Sequence, residues 1–260
     1  MSFLAVVKVE LAKLYHKKLS LLLLLFLIPA ILFGVGMSMG LSFFVSDGSS
    51  GVNAVEMSLS GMGFAVDMLE QSKYIIFLVI IILAAFSLAG ELENGQIKSE
   101  IIRICNRRKI LIAKFVALLI LVYGVIILSL LWSLLIYAVF VRNTKFASGV
   151  LYDGLIAVHM RYVGFMILGI ATAIATTFLL GTKIKTFPCF AMSYIVWFAS
   201  LYTDFIEKVK LLIPYNMPGV VLENVEMIRN TLPYACLYVS YLVLFLGVSC
   251  VIFGKNDIKD

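Results

Sequence analysis

Charge is what this sequence has least of. Only 14% of its 260 residues are Asp, Glu, Lys or Arg, where an ordinary globular chain has about a quarter, and 62% are hydrophobic. The scarcity is concentrated in several runs of about 18 or more residues without any charge, which excludes a soluble fold and marks an integral membrane protein. Histidine is nearly missing: His16 and His159 stand far apart. The four cysteines, Cys105, Cys189, Cys236 and Cys250, are scattered, with no C-x-x-C and no metal-ligand spacing. They read as free thiols acting as small apolar residues, and no metal site is expected.

Other absences narrow the function. No H-E-x-x-H occurs, which excludes a metalloprotease of that type, and no G-x-x-x-x-G-K-[ST] occurs, so the chain carries no Walker-type ATP site. Serine chemistry needs a base near Ser129, Ser133, Ser193 or Ser240, and the apolar runs offer none. The span interiors are expected to hold no ionisable residue, with Lys114 counted among the flanking cations. That counts against an ion-coupled carrier, which keeps such groups near the midplane. The net charge of +6 reflects basic flanks facing anionic lipid; no Lys/Arg run is interleaved with aromatics, so nucleic acid is not an expected partner. No catalytic site is expected on the chain.

What is present reads as one all-α membrane domain over residues 1–260. Residues 3–18 form an amphipathic helix on the membrane: Phe3, Val7, Leu11 and Leu14 recur at helical spacing, while Glu10, Lys13 and Lys17 share another face. Six spans follow, at about 19–44, 74–90, 110–141, 162–180, 186–202 and 232–253. The first contains Gly36-x-x-x-Gly40, and the fourth a small-residue stripe of Gly169, Ala173 and Thr177; both suit close helix approach. Residues 203–231 form an outer connection that is too apolar for a solvated loop and is broken by Pro214 and Pro218. It reads as short helices re-entering the membrane, or as an amphipathic surface loop.

Fourteen Lys and Arg fall on the side that carries both termini and seven on the other, which accounts for all 21. The positive-inside rule then places both termini in the cytoplasm of a cell with a bacterial-type plasma membrane.

The most polar segment is Gly90 to Lys114, GELENGQIKSEIIRICNRRKILIAK, between the second and third spans. Asn94-Gly95 signals a turn. Ile97, Ile101, Ile104 and Cys105 then recur at helical spacing, with Lys98 and Arg103 off that stripe. By pattern this is a short amphipathic helix, either resting on lipid headgroups or seated on a partner.

This segment resembles the signature of ABC-2 type transport permeases, in which a Glu-containing span end, a Gly turn and a basic short helix precede an R-x-x-I-L-x-x-K-like run. The matching residues are Glu91, Glu93, Gly95, Ile97, Lys98, Arg108, Ile110, Leu111 and Lys114, although Ile104-Cys105-Asn106 stands where that family often has a Pro. The resemblance implies a homo- or heterodimer of six-span chains bound to two ATP-binding cassette ATPases, which hold the ATP and Mg. The short helix would be the coupling helix. Ile97 and Ile101 would fill a groove in the ATPase, with Glu91, Glu93, Lys98, Arg103 and Arg108 making polar contacts around it. Within that superfamily the shape is similar to exporters of antimicrobial or cytolytic peptides, such as lantibiotic-immunity and phenol-soluble-modulin systems. A membrane receptor or immunity protein that binds a peptide without ATP turnover is the alternative.

Overall fold

A computed structural model describes residues 2–41, 59–104, 106–205, 207–223 and 231–255. Positions 42–44 of the expected first span, Cys105, residues 224–230 of the apolar connection and the tail from 256 lie outside that set. The described residues are helical, apart from turns and one isolated bridge between Leu59 and Ala147. In order the helices are α1 (Phe3–His16), α2 (Leu27–Ser38), α3 (Gly61–Ala85), α4 (Glu91–Glu93), α5 (Gln96–Ile104), α6 (Arg107–Ile136), α7 (Ile156–Gly181), α8 (Thr186–Leu201), α9 (Glu207–Lys210), α10 (Met217–Glu223) and α11 (Leu232–Lys255). A 3-10 helix, Lys18–Phe26, leads into α2, and π-helical turns at Phe86–Gly90 and Tyr137–Val141 come after α3 and α6.

Among the described residues five stretches are long and apolar enough to cross a membrane: Ser20–Ser38, Gly61–Glu93, Arg107–Val141, Ile156–Gly181 and Leu232–Lys255. The chain is a multi-pass helical membrane protein. The expected fifth span, at α8, is apolar but has only 16 residues. At 1.5 Å per residue it reaches about 24 Å, short of a ~30 Å hydrocarbon layer. Two spans start earlier than the apolar runs suggest. The second begins at Gly61, where Ser60 caps the helix by accepting the Gly63 amide at 3.0 Å. Asp67, Glu70 and Lys73 therefore lie on a helix rather than in a loop. The fourth begins at Ile156 and takes in His159 and Arg161.

Packing between helices in lipid gains little from apolar burial alone, so close approach and hydrogen bonds carry more of it. The centre is α7, which packs on α3, α8, α10 and α11. Its small-residue stripe admits backbone. A Cβ at Gly169 would stand 3.1 Å from the Pro214 carbonyl oxygen, and Gly181 faces Ala89 and Cys189. The neighbour at Gly169 is thus the segment between α9 and α10. That segment is anchored on several sides: Phe77 stacks on Trp197 and meets Tyr215 edge-on, each at 5.5 Å. Asn216 donates to the Ser200 carbonyl at 3.0 Å, and the Tyr238 hydroxyl donates to the Leu211 carbonyl at 2.7 Å. Tyr215, Met217, Val220 and Val221 are buried.

The glycine pair of the first span, expected to allow close helix approach, makes no such approach to the described residues of the chain. Nothing lies within 4 Å of a Cβ at Gly36. Gly40 ends the helix with φ +79°, where its amide donates to Met37 and that of Leu41 to Gly36, each at 3.0 Å. The close approach occurs at Gly34 instead, where a Cβ would collide with Ile136.

Candidate functional site

The Gly90–Lys114 segment folds as its local sequence dictates. Gly95 takes φ +70°, a conformation that glycine adopts without strain, and turns the chain from α4 into α5. Asn106 then caps α6, its side-chain oxygen accepting the Lys109 amide at 3.1 Å. Just before α4, the π-helical turn Phe86–Gly90 adds a residue to the helical register and so rotates α4 about the helix axis. Ser87, Leu88, Ala89, Gly90 and Glu91 are all buried.

The apolar stripe of α5 faces inward. Ile97 is 1% exposed, and Ile101 and Ile104 pack against the same core, beside Leu92. Ile97 and the half-buried Ile101, the two residues expected to fill a partner's groove, thus pack α5 onto its own chain. The outward stripe is Gln96, Ser99, Ile102 and Arg103, in which Ile102 is 78% exposed. Lys98 lies at the half-buried edge, and Arg108 is exposed near Gly254 of α11.

Beneath α5 lies a cluster of charges that the apolar reading of the spans left out. Lys114, expected among the flanking cations, sits seven residues into α6 and is fully buried. Its Nζ donates to Glu10 Oε2 at 2.7 Å and to Glu91 Oε2, and lies 3.4 Å from Glu100 Oε2. Lys13 bonds Glu10 at 2.8 Å and also bonds Glu100, and it stands 3.8 Å from Glu91. Lys17 reaches Glu91 at 3.3 Å. Three ammonium groups thus balance three carboxylates whose ligand atoms lie within 4.8 Å of one another, with Lys114 supplying the central positive charge. Burial acts to lower the Lys13 pKa, but hydrogen bonds to Glu10 and Glu100 and the charges of Glu10 and Glu91 outweigh it, so Lys13 is held well above the usual lysine value.

The cluster joins α1, α4, α5 and α6. The polar stripe Glu10–Lys13–Lys17, legible in the sequence as one face of α1, points into the protein, while Leu4, Val9 and Tyr15 point out. A second link leaves the same point: Glu93 accepts both the amide and the hydroxyl of Thr186, at 3.2 and 2.7 Å, and so caps α8. Of the residues expected to touch an ATPase, Glu91 and Glu93 are therefore engaged within the chain. Glu10, Glu100 and Lys114 were missed as site residues. Lys114's place inside a charge-poor helix was the available signal.

The opposite end has its own polar ties. The buried Tyr162 hydroxyl donates to Glu70 at 2.7 Å, and Ser60 donates to Asp153 at 2.6 Å. Tyr137, buried, donates to the carbonyls of Leu59 and Val150 at 3.1 and 3.2 Å. Its role, like that of Tyr238, is structural.

The geometry defines a multi-pass helical membrane protein with a short surface helix clamped onto a buried charge cluster. Residues 53–259, most of the chain, match the family described as protein of unknown function (DUF2705), and the chain belongs to that family. No curated protein matches it.

Proposed function

We infer that this chain is the transmembrane permease subunit of an ATP-driven exporter, worked through α5 by separate ATP-binding cassette ATPases that hold the ATP and Mg. The observation that carries the reading is the clamp. Glu100 of the short amphipathic helix α5 pairs with Lys13 of α1 and with the buried Lys114 of α6, Lys114 pairs in turn with Glu91 of α4, and Glu93 of α4 caps α8. A push on α5 from outside therefore reaches four segments together. Breaking a buried ion pair costs several kcal/mol, so the clamp transmits displacement instead of absorbing it. The outward face for the partner is Gln96, Ser99, Ile102 and Arg103, with Ile102 as its apolar contact.

In this reading α5 and both termini lie in the cytoplasm, the short α8 completes a six-span unit, and two such units pair. The anchored segment from α9 to α10 re-enters from the outer side as a cap. The largely apolar, Tyr-bearing surfaces suit an amphipathic peptide taken from the membrane and moved outward. The buried charges sit at the α5 end and neutralise one another, which suits a mechanical joint better than a midplane ion site.

The test is co-expression with the neighbouring genes, extraction in mild detergent, and mass identification of the proteins that co-purify. A cassette ATPase in equal amount, lost on Ile102→Asp while the permease stays folded, is the expected result. A folded assembly without an ATPase that still protects cells from the peptide would replace this reading with a peptide-binding immunity protein.

A further inference from the structure

Outside this cluster, α1 and α6 enclose a groove of about 500 Å³. Its floor is apolar and runs along α6 through Ile120, Gly124 and Leu128. At four-residue spacing these cover about 12 Å of helix, close to the ~15 Å hydrocarbon depth of one leaflet. Gly124 keeps the floor open: a Cβ there would meet nothing within 4 Å. A mid-helix glycine costs about 1 kcal/mol relative to alanine, and larger residues would narrow the seat.

The rim is cationic and aromatic. Lys8, His16 and the 80% exposed Tyr15 line it from α1. Lys13 and Lys17, on the inner face, are engaged by carboxylates. Lys8 is exposed and has no carboxylate partner among the described residues. A tyrosine at such a height suits the membrane interface, where its ring and hydroxyl meet different surroundings.

We propose that this groove is a binding site for one anionic phospholipid, its acyl chain lying along Ile120, Gly124 and Leu128 and its phosphate held by Lys8 and His16. An apolar floor of leaflet depth under an unneutralised cation matches that ligand at both ends. A cationic amphipathic peptide would meet repulsion from Lys8. The inference rests on the membrane reading of the bundle and is independent of ATPase docking.

The test is native mass spectrometry of the full chain, purified without ATPase and exchanged into detergent containing equal phosphatidylglycerol and phosphatidylcholine. The wild type should retain one lipid per chain with phosphatidylglycerol preferred. Gly124→Leu, which favours the helix, should lose both lipids. Lys8→Gln with His16→Gln should keep a lipid but lose the preference by about fivefold or more, the scale of one lysine near an anionic surface. Thermal unfolding confirms that each variant is folded. Unchanged phosphatidylglycerol retention in both variants overturns the proposal. So does a Gly124→Leu protein that changes from dimer to monomer with lipid retention intact, which would make the groove a contact between copies.

Discussion

Replacing Lys114 by methionine tests the centre of the clamp. Methionine keeps the length, the apolar stem and nearly the helix propensity of lysine, so the change isolates the charge. The wild-type cluster is neutral, with Glu10, Glu91 and Glu100 set against Lys13, Lys17 and Lys114. Lys114 is the one whose side chain is fully buried, so solvent screening does not soften its loss. Removing one partner of a buried ion pair typically costs about 3–5 kcal/mol, because the other charge is left uncompensated. For a chain of this size each kcal/mol moves the melting temperature by roughly 2–4 °C, which gives a fall of about 6–20 °C. The assay is thermal unfolding in detergent, read from the fluorescence of Trp132 and Trp197. Lys114→Met with Glu91→Gln restores neutrality and should recover most of the loss, since paired removal of buried charges is often tolerated. Lowering the pH should also narrow the deficit of the single variant, as a surplus carboxylate takes up a proton. A Lys114→Met protein melting within 2 °C of wild type, or a double variant as unstable as the single one, would refute the reasoning.

The same geometry sets other outcomes. Ile97→Asp should destabilise the isolated chain, because it buries a carboxylate in the core under α5, whereas Ile102→Asp should leave the melting temperature unchanged and affect only partner binding; melting curves and co-purification separate the two. Glu93→Ala should speed amide exchange at the start of α8, at Thr186 and Phe187, and Glu93→Gln should restore part of the protection because an acceptor remains. Gly169→Leu should push the segment around Pro214 off α7 at about 1–3 kcal/mol, raising the thiol reactivity of a cysteine placed at Tyr215. Lys13→Met should destabilise the protein at neutral pH. The raised Lys13 pKa means that its contribution is complete below the ordinary value of 10.5 and fades as pH rises through the raised one, so the difference from wild type should close only in strong alkali.

Sequence alone determined the features that depend on local composition and period. Uncharged runs must become helices in a membrane, because a backbone without water has to bond to itself, so the apolar segments were legible to within a few residues at α6 and α11. The Asn94-Gly95 turn and the amphipathic period of α5 were equally local, since glycine's freedom at positive φ and helical spacing both act within one turn. Helix starts were less legible. Ser60 capping α3 and polar residues on its first turns look like loop until something packs against them.

Which way each face points was decided by tertiary structure. Amphipathic period says that Ile97 and Ile102 lie on different sides of α5 but not which side meets the core. That was settled by α6 and Leu92 beneath it. The polar stripe of α1 reads as facing water, yet Lys114 turns it inward, because a lysine held seven residues into an apolar helix must be neutralised by carboxylates from other segments. Glu10, Glu91 and Glu100 lie up to ninety residues apart in sequence. Folding alone brings them together, since a buried charge is tolerable only where its partners converge.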